Sequence, residues 1–217
     1  MMITPKKRQG HFKYLDLGEI AKKSMAQRVL VCDIETTGLD PLKDLIVEVG
    51  LVLIDLKTGA IEKCFDQVVR EASFGDAHKK AWVFANSDLK FGEVQSAPLL
   101  LSVKEEIQNY FNRFPATAYN KQFDFGFLRQ RGIKIPYELD CPMQMATPIL
   151  KIPHWKSGYK YPSVEEAWRY YFPTIKYLEK HRAYDDAMHE AQIVRNMYQN
   201  NQWQYRAIKD FLSSNCT

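Results

Sequence analysis

The sequence predicts an α/β domain in which a mixed β-sheet is flanked by α-helices. Three observations lead there. Residues 28–71 hold three successive strand-like runs, helix-period and strand-like segments alternate from residue 99 onward, and 217 residues suffice for one ordinary core.

The elements follow in order. Residues 28–35, RVLVCDIE, form a short β-rich run, and TTGLDP after it carries turn punctuation at Gly38 and Pro41. Residues 44–59 give a second strand ending at a Thr-Gly turn, and residues 60–71 alternate well enough for a third, so an antiparallel meander is expected. Residues 77–86 have helical character, and residues 91–98 read as a loop into the next element. Apolar positions at helical spacing mark a helix over 99–114. A strand over 114–120 and a helix over 123–132, stopped by Gly132, come next. Residues 138–141 (ELDC) read as a short strand, and Pro142 suits the first position of a helix over 142–150. Residues 151–162, KIPHWKSGYKYP, look like an aromatic, basic loop. Ser163 and Glu166 spell a capping box for a helix over 163–172. The last long helix is expected from Ala183 to Gln199, with a small packed helix within 200–214. The chain divides into a basic N-terminal extension, 1–27, and one domain, 28–217.

Composition narrows the class. No apolar run approaches the ~20 residues that span a bilayer. The basic N-terminus lacks an apolar core and a small-residue cleavage site, so a cytoplasmic protein with no membrane partner is expected. Cys32, Cys64, Cys141 and Cys216 show no CxxC spacing and read as reduced thiols rather than a disulfide framework or zinc site. The net charge is +4, and residues 1–28 carry the whole excess, leaving a near-neutral body. That extension could touch a phosphate backbone or be a solvated tail.

Three segments concentrate chemistry. Asp33 and Glu35 are two apart on a strand, so both side chains point to one face. Two buried carboxylates side by side are costly unless a cation neutralises them, and a hard divalent ion such as Mg²⁺ or Mn²⁺ suits oxygen ligands. Alternatively, one acid caps a turn and the other faces solvent. Asp124 falls in the first turn of a predicted helix, a common place for a carboxylate on dipole grounds alone. His181 precedes the last helix and Asp186 lies in its first turns. Histidine is the side chain best matched to accepting a proton near neutral pH; a capping segment is the plainer reading.

Taken together, DIETTG at 33–38, NKQFD at 120–124 and HRAYDD at 181–186 resemble the DnaQ-like DEDDh exonuclease superfamily. The resemblance covers about residues 28–198 and fills every position the family uses for chemistry. It implies an RNase H-like fold and 3′→5′ hydrolysis of nucleic-acid 3′ ends to nucleoside 5′-monophosphates. It further implies two Mg²⁺ or Mn²⁺ ions held by Asp33, Glu35, Asp124 and Asp186, with His181 as general base. By the same likeness Ile34, Thr36, Thr37 and Gly38 would cradle the terminal nucleotide. Leu39 would wedge against its base and Phe123 would line that pocket, although ordinary core packing also explains these two.

One departure concerns the terminal sugar. Many proofreading-type members carry a His-Gly-Ile segment between the first two motifs, whereas residues 81–88 here read AWVFANSD. Asn86 or Phe84 could substitute. Partners expected are single-stranded 3′ ends, DNA slightly ahead of RNA, and a polymerase or a second copy of the chain. An exoribonuclease is the alternative, and a non-catalytic binding module is remote because no ligand position is substituted. His189, one turn past Asp186, is expected on a helix flank. Trp155, Tyr159 and Tyr161, interleaved with Lys156 and Lys160, can stack bases or tuck onto the core.

Overall fold

A computed structural model describes residues 27–177 and 180–203. The basic extension up to residue 26, Cys216 and most of the helix expected over 200–214 fall outside them. The sheet order is β3-β2-β1-β4. β1 (Arg28–Thr36) pairs antiparallel with β2 (Ile46–Asp55), and β2 with β3 (Ile61–Val68), which is the expected meander. β4 (Ala116–Thr117) lies parallel to β1. This mixed sheet flanked by helices is RNase H-like.

β4 is shorter than the sequence implied, for a local reason. Pro115 has no N–H to give, and the Tyr119 N–H is donated to the Glu190 carboxylate (3.2 Å) instead of to a strand. The expected strand at 138–141 reduces to one bridge, Ala116 with Glu138.

Helices cover both faces. α1 (Trp82–Asn86) and α2 (Phe91–Ser96) form a satellite layer in which Val83, Leu89 and Val94 bury against Val47. Residues 91–96 were expected to be loop. Six residues with Gly92 among them carry no readable period, and packing of Phe91 against Phe74 and Phe84 holds the helix. α3 (Leu100–Arg113) and α4 (Lys121–Gln130) bury Ile107, Phe111, Phe125 and Phe127 against one sheet face. Gly132, at φ +70°, ends α4 as expected.

α5 (Pro142–Leu150), α6 (Val164–Tyr171) and α7 (Ala183–Gln199) pack on the opposite face. Ser163 accepts from the Glu166 N–H and Glu166 returns the bond, completing the expected capping box. Ala183, Ala187 and Ala191 recur every four residues along α7 and are fully buried, so the helix lies close on β1 and β2. Cys32, Cys64 and Cys141 are free thiols. Among the described residues no helix is long and apolar enough to cross a membrane.

Candidate active site

Strand alternation places the first two acids. Val29 and Val31 of β1 face α7, so Asp33 and Glu35 continue on that side while Cys32 and Ile34 enter the α3–α4 core. α7, seated by its alanines, brings Asp186 (6% exposed) to the same end of β1. α4 brings Asp124 (3% exposed), whose carboxylate accepts the Ile34 N–H and so ties helix to strand.

All five expected chemical residues line one cleft of 210 Å³, walled by Tyr119, Asn120 and Val164. Ligand atoms of Glu35, His181 and Asp186 lie within 4.8 Å of one another. A second cleft of 230 Å³, between Arg70, Leu100 and Arg131, holds no such set; Arg131 is paired with Glu71 and Arg70 Nε donates to the Ala97 carbonyl.

Crowding shows in the titration of these groups. Burial pushes the Asp33 carboxyl well above its usual range, and Glu190, Asp124, Glu35 and Asp186 push it further by like charge. Asp124 is raised to about 7, with burial dominant and two backbone N–H bonds opposing. Such a set is stable in its charged form only with added positive charge, so its chemistry fits divalent cations held by carboxylate oxygen.

Two features were missed from the sequence. Glu190 is 4% exposed and lines the cleft; burial and then the Asp124 charge raise its carboxyl too. It stands one turn past Asp186, so i,i+4 spacing on the predicted helix could have found it. The other is the seat of His181. Glu48 of β2, 1% exposed, lies opposite Glu35 and accepts from Arg182 Nε (3.0 Å) and Nη2 (2.8 Å) and from the Ala183 N–H (3.2 Å). His181 itself sits at φ +50°, the left-handed region, and its ring meets Trp82 edge-on at 4.8 Å. No local pattern joins Glu48 to a residue 134 positions away.

Of the candidates for the missing His-Gly pair, Asn86 donates to the Trp82 carbonyl (2.8 Å) and Phe84 packs on Phe74 and Phe91. The ring of this segment that meets His181 is Trp82. His189 Nδ1 donates to the Asp185 carbonyl (2.7 Å) and the ring packs on Trp168 and Tyr177, a flank position as expected.

Beside the cleft runs a groove of 330 Å³ lined by Leu39, Pro41, Asn120, Gln122, Phe123 and Phe127. Leu39 is 84% exposed, so core packing does not explain it. The loop carrying it is internally fixed. Thr36 Oγ1 donates to the Gly38 carbonyl (2.6 Å) and Thr37 Oγ1 accepts from the Leu45 N–H (2.9 Å). A Cβ at Gly38 would lie 2.4 Å from Asp44 Oδ2. Ile34 offers the cleft its backbone, its side chain being in the core.

Residues 30–194 match the RNase T family model, described as exonuclease. DNA polymerase III PolC-type of Caldanaerobacter subterraneus subsp. tengcongensis is 25% identical over 178 residues, 82% of this chain but 12% of that polymerase. The nuclease domain of 3′hExo, a DEDDh family member bound to rAMP, superposes with TM-score 0.62 at 16% identity, covering 82% of this chain and 95% of that one. Exonuclease X in complex with 5′ overhanging duplex DNA gives TM-score 0.58 at 20% identity, covering 85% and 99%. At these identities the two structures show a shared fold.

Proposed function

The chain belongs to the RNase T exonuclease family and is a DnaQ-like exonuclease, and we propose that it removes nucleotides one at a time from single-stranded DNA 3′ ends. The observation that carries this reading is the convergence of Asp33, Glu35, Asp124, Asp186 and His181 on one cleft beside an apolar groove.

In this reading Asp33, Glu35, Asp124 and Asp186 hold two divalent cations, Mg²⁺ or Mn²⁺. When bound, such ions supply Lewis acidity and charge neutralisation for phosphodiester hydrolysis. Leu39 and Phe123, which both line the groove, grip the terminal base, and the backbone from Ile34 to Gly38 positions its phosphate. His181, braced by Trp82 and by the Arg182–Glu48 pair, takes the proton from the attacking water as the water oxygen bonds to phosphorus and the P–O3′ bond breaks. The departing 3′ oxygen of the shortened strand takes up a proton from solvent. The product is a nucleoside 5′-monophosphate.

The PolC-type relative supports a DNA substrate, and with it proofreading and a polymerase partner. The rAMP held by 3′hExo supports RNA as the second reading. Matched 5′-labelled DNA and RNA 12-mers, incubated with Mg²⁺ or Mn²⁺, test both. A mononucleotide ladder on DNA is expected, abolished by Asp33→Ala and lowered about 10²–10⁴-fold by His181→Ala. Intact label on both strands would sink the assignment, and loss of metal affinity in His181→Ala would make that residue a ligand instead of the base.

A further inference from the structure

The residues joining α5 to α6 form a hairpin. Pro153 bridges Tyr159, the His154 N–H donates to the Gly158 carbonyl (3.0 Å), and the Lys160 N–H donates to the Ile152 carbonyl (3.0 Å). Gly158, at φ +70°, makes the turn. This fixed scaffold holds three large rings in water: Trp155 is 82% exposed, Tyr161 61% and Tyr159 50%. Lys156 Nζ stands 4.6 Å over the Trp155 ring.

Charge points to the occupant. Residues 151–162 contain Lys151, Lys156 and Lys160 and no acid; Lys160 pairs with Glu166, while Lys151 and Lys156 are exposed. Exposed rings alone would suit any apolar surface. Rings interleaved with cations suit a chain that offers both flat bases and phosphates.

Position connects the hairpin to the cleft. Val164, two residues past the hairpin's Pro162, lines the carboxylate cleft. Tyr119, which also lines it, donates its hydroxyl to the carbonyls of Pro162 and Ser163 (3.2 Å to each). Chain length keeps the Tyr161 Cα within about 11 Å of the Val164 Cα.

We propose that this hairpin is a binding platform for single-stranded DNA, stacking bases upstream of the 3′ end held in the cleft, with Lys151 and Lys156 on its phosphates. The assignment of the strand's polarity rests on the exonuclease reading; binding itself does not. The test compares the full chain with Trp155→Ala, Tyr159→Ala/Tyr161→Ala and Lys156→Ala. Affinity for a 5′-fluorescein-labelled dT12 is read by anisotropy with Ca²⁺ replacing Mg²⁺. Turnover is read on dT12 and on the 4-nitrophenyl ester of thymidine 5′-monophosphate, which offers one nucleotide only.

Trp155→Ala is expected to weaken dT12 binding and raise its KM about tenfold, leaving kcat and the ester's kcat/KM unchanged. Lys156→Ala is expected to reduce the salt slope of dT12 binding by about one. Unchanged dT12 affinity in all three variants overturns the platform, and would turn attention to a protein partner for these rings. An equal loss on dT12 and on the ester overturns it too, since that reports a disturbed cleft. If the wild type turns over neither substrate while the variants lose dT12 binding, the exonuclease reading fails and the platform stands.

Discussion

Gly50 lies in the middle of β2, opposite Asp33, on the face covered by α7. A Cβ there would sit 2.3 Å from the Ala183 carbonyl carbon and 2.4 Å from both the Ala183 oxygen and the Tyr184 nitrogen. Ordinary carbon contacts need about 3.5–4.0 Å, so Gly50→Ala must open a gap of more than 1 Å. All three obstructing atoms are backbone, so no side chain can rotate away. The N-terminus of α7 has to lift, taking His181 on one side of the clash and Asp186 on the other. Overpacking of this kind costs about 1–3 kcal/mol, which for a domain of this size lowers Tm by about 2–4 °C per kcal/mol. Displacing reactive groups by about 1 Å costs around 10²-fold in rate. The expected result is a kcat lower by about two orders of magnitude on the labelled strand. KM should change little, because the Leu39–Phe123 groove does not touch Gly50. Gly126→Ala is the matched control: a Cβ there meets nothing within 4 Å, and replacing a helical glycine should raise stability by about 0.5–1 kcal/mol. Wild-type kcat and Tm in Gly50→Ala would refute the close seating of α7 as the device that sets the site.

Two other perturbations probe the same region. Glu48→Gln leaves the half-buried Arg182 without its countercharge, and breaking a buried pair predicts a loss of about 3 kcal/mol in urea unfolding, with kcat falling as the His181 turn loosens. Retained stability would mean that Arg182 finds another partner, Glu93 lying 3.7 Å from it. The crowded carboxylates also predict a pH dependence. Asp124 titrates at about 7 when folded and near ~4 unfolded, so between those values the native state binds more protons and stability falls as pH rises. In EDTA, Tm should therefore drop from pH 5 to pH 8, and saturating Mg²⁺ or Mn²⁺ should restore it at pH 8 by binding the native state. A flat Tm profile in EDTA would show that burial does not hold the Asp124 carboxyl protonated.

What the sequence revealed tracks the range over which each signal acts. The meander, the capping box at Ser163 and the span of α7 are written in periodicity and cap residues a few positions apart, and all three are present as expected. Asp33 and Glu35 share a face because alternation is local. Asp124 and Asp186 were legible through motif order, since each alone looked like an ordinary first-turn acid. Glu48 and Trp82 were not legible. Their link to the His181 segment crosses 134 and 99 positions respectively, and only tertiary packing brings them there. The shortened β4 failed for a related reason: the carboxylate of Glu190, far along the chain, captures the N–H that a longer strand would have used.

The left-handed backbone at His181 constrains how this position can drift over evolutionary time. Glycine and asparagine enter that conformation readily, whereas a β-branched residue resists it strongly. A lineage that abandoned hydrolysis but kept the fold would therefore reach Gly or Asn at position 181 before Val or Ile. Decay of the chemistry would leave the turn intact, and the resulting chains would still seat α7 on the sheet and still pass for enzymes by shape.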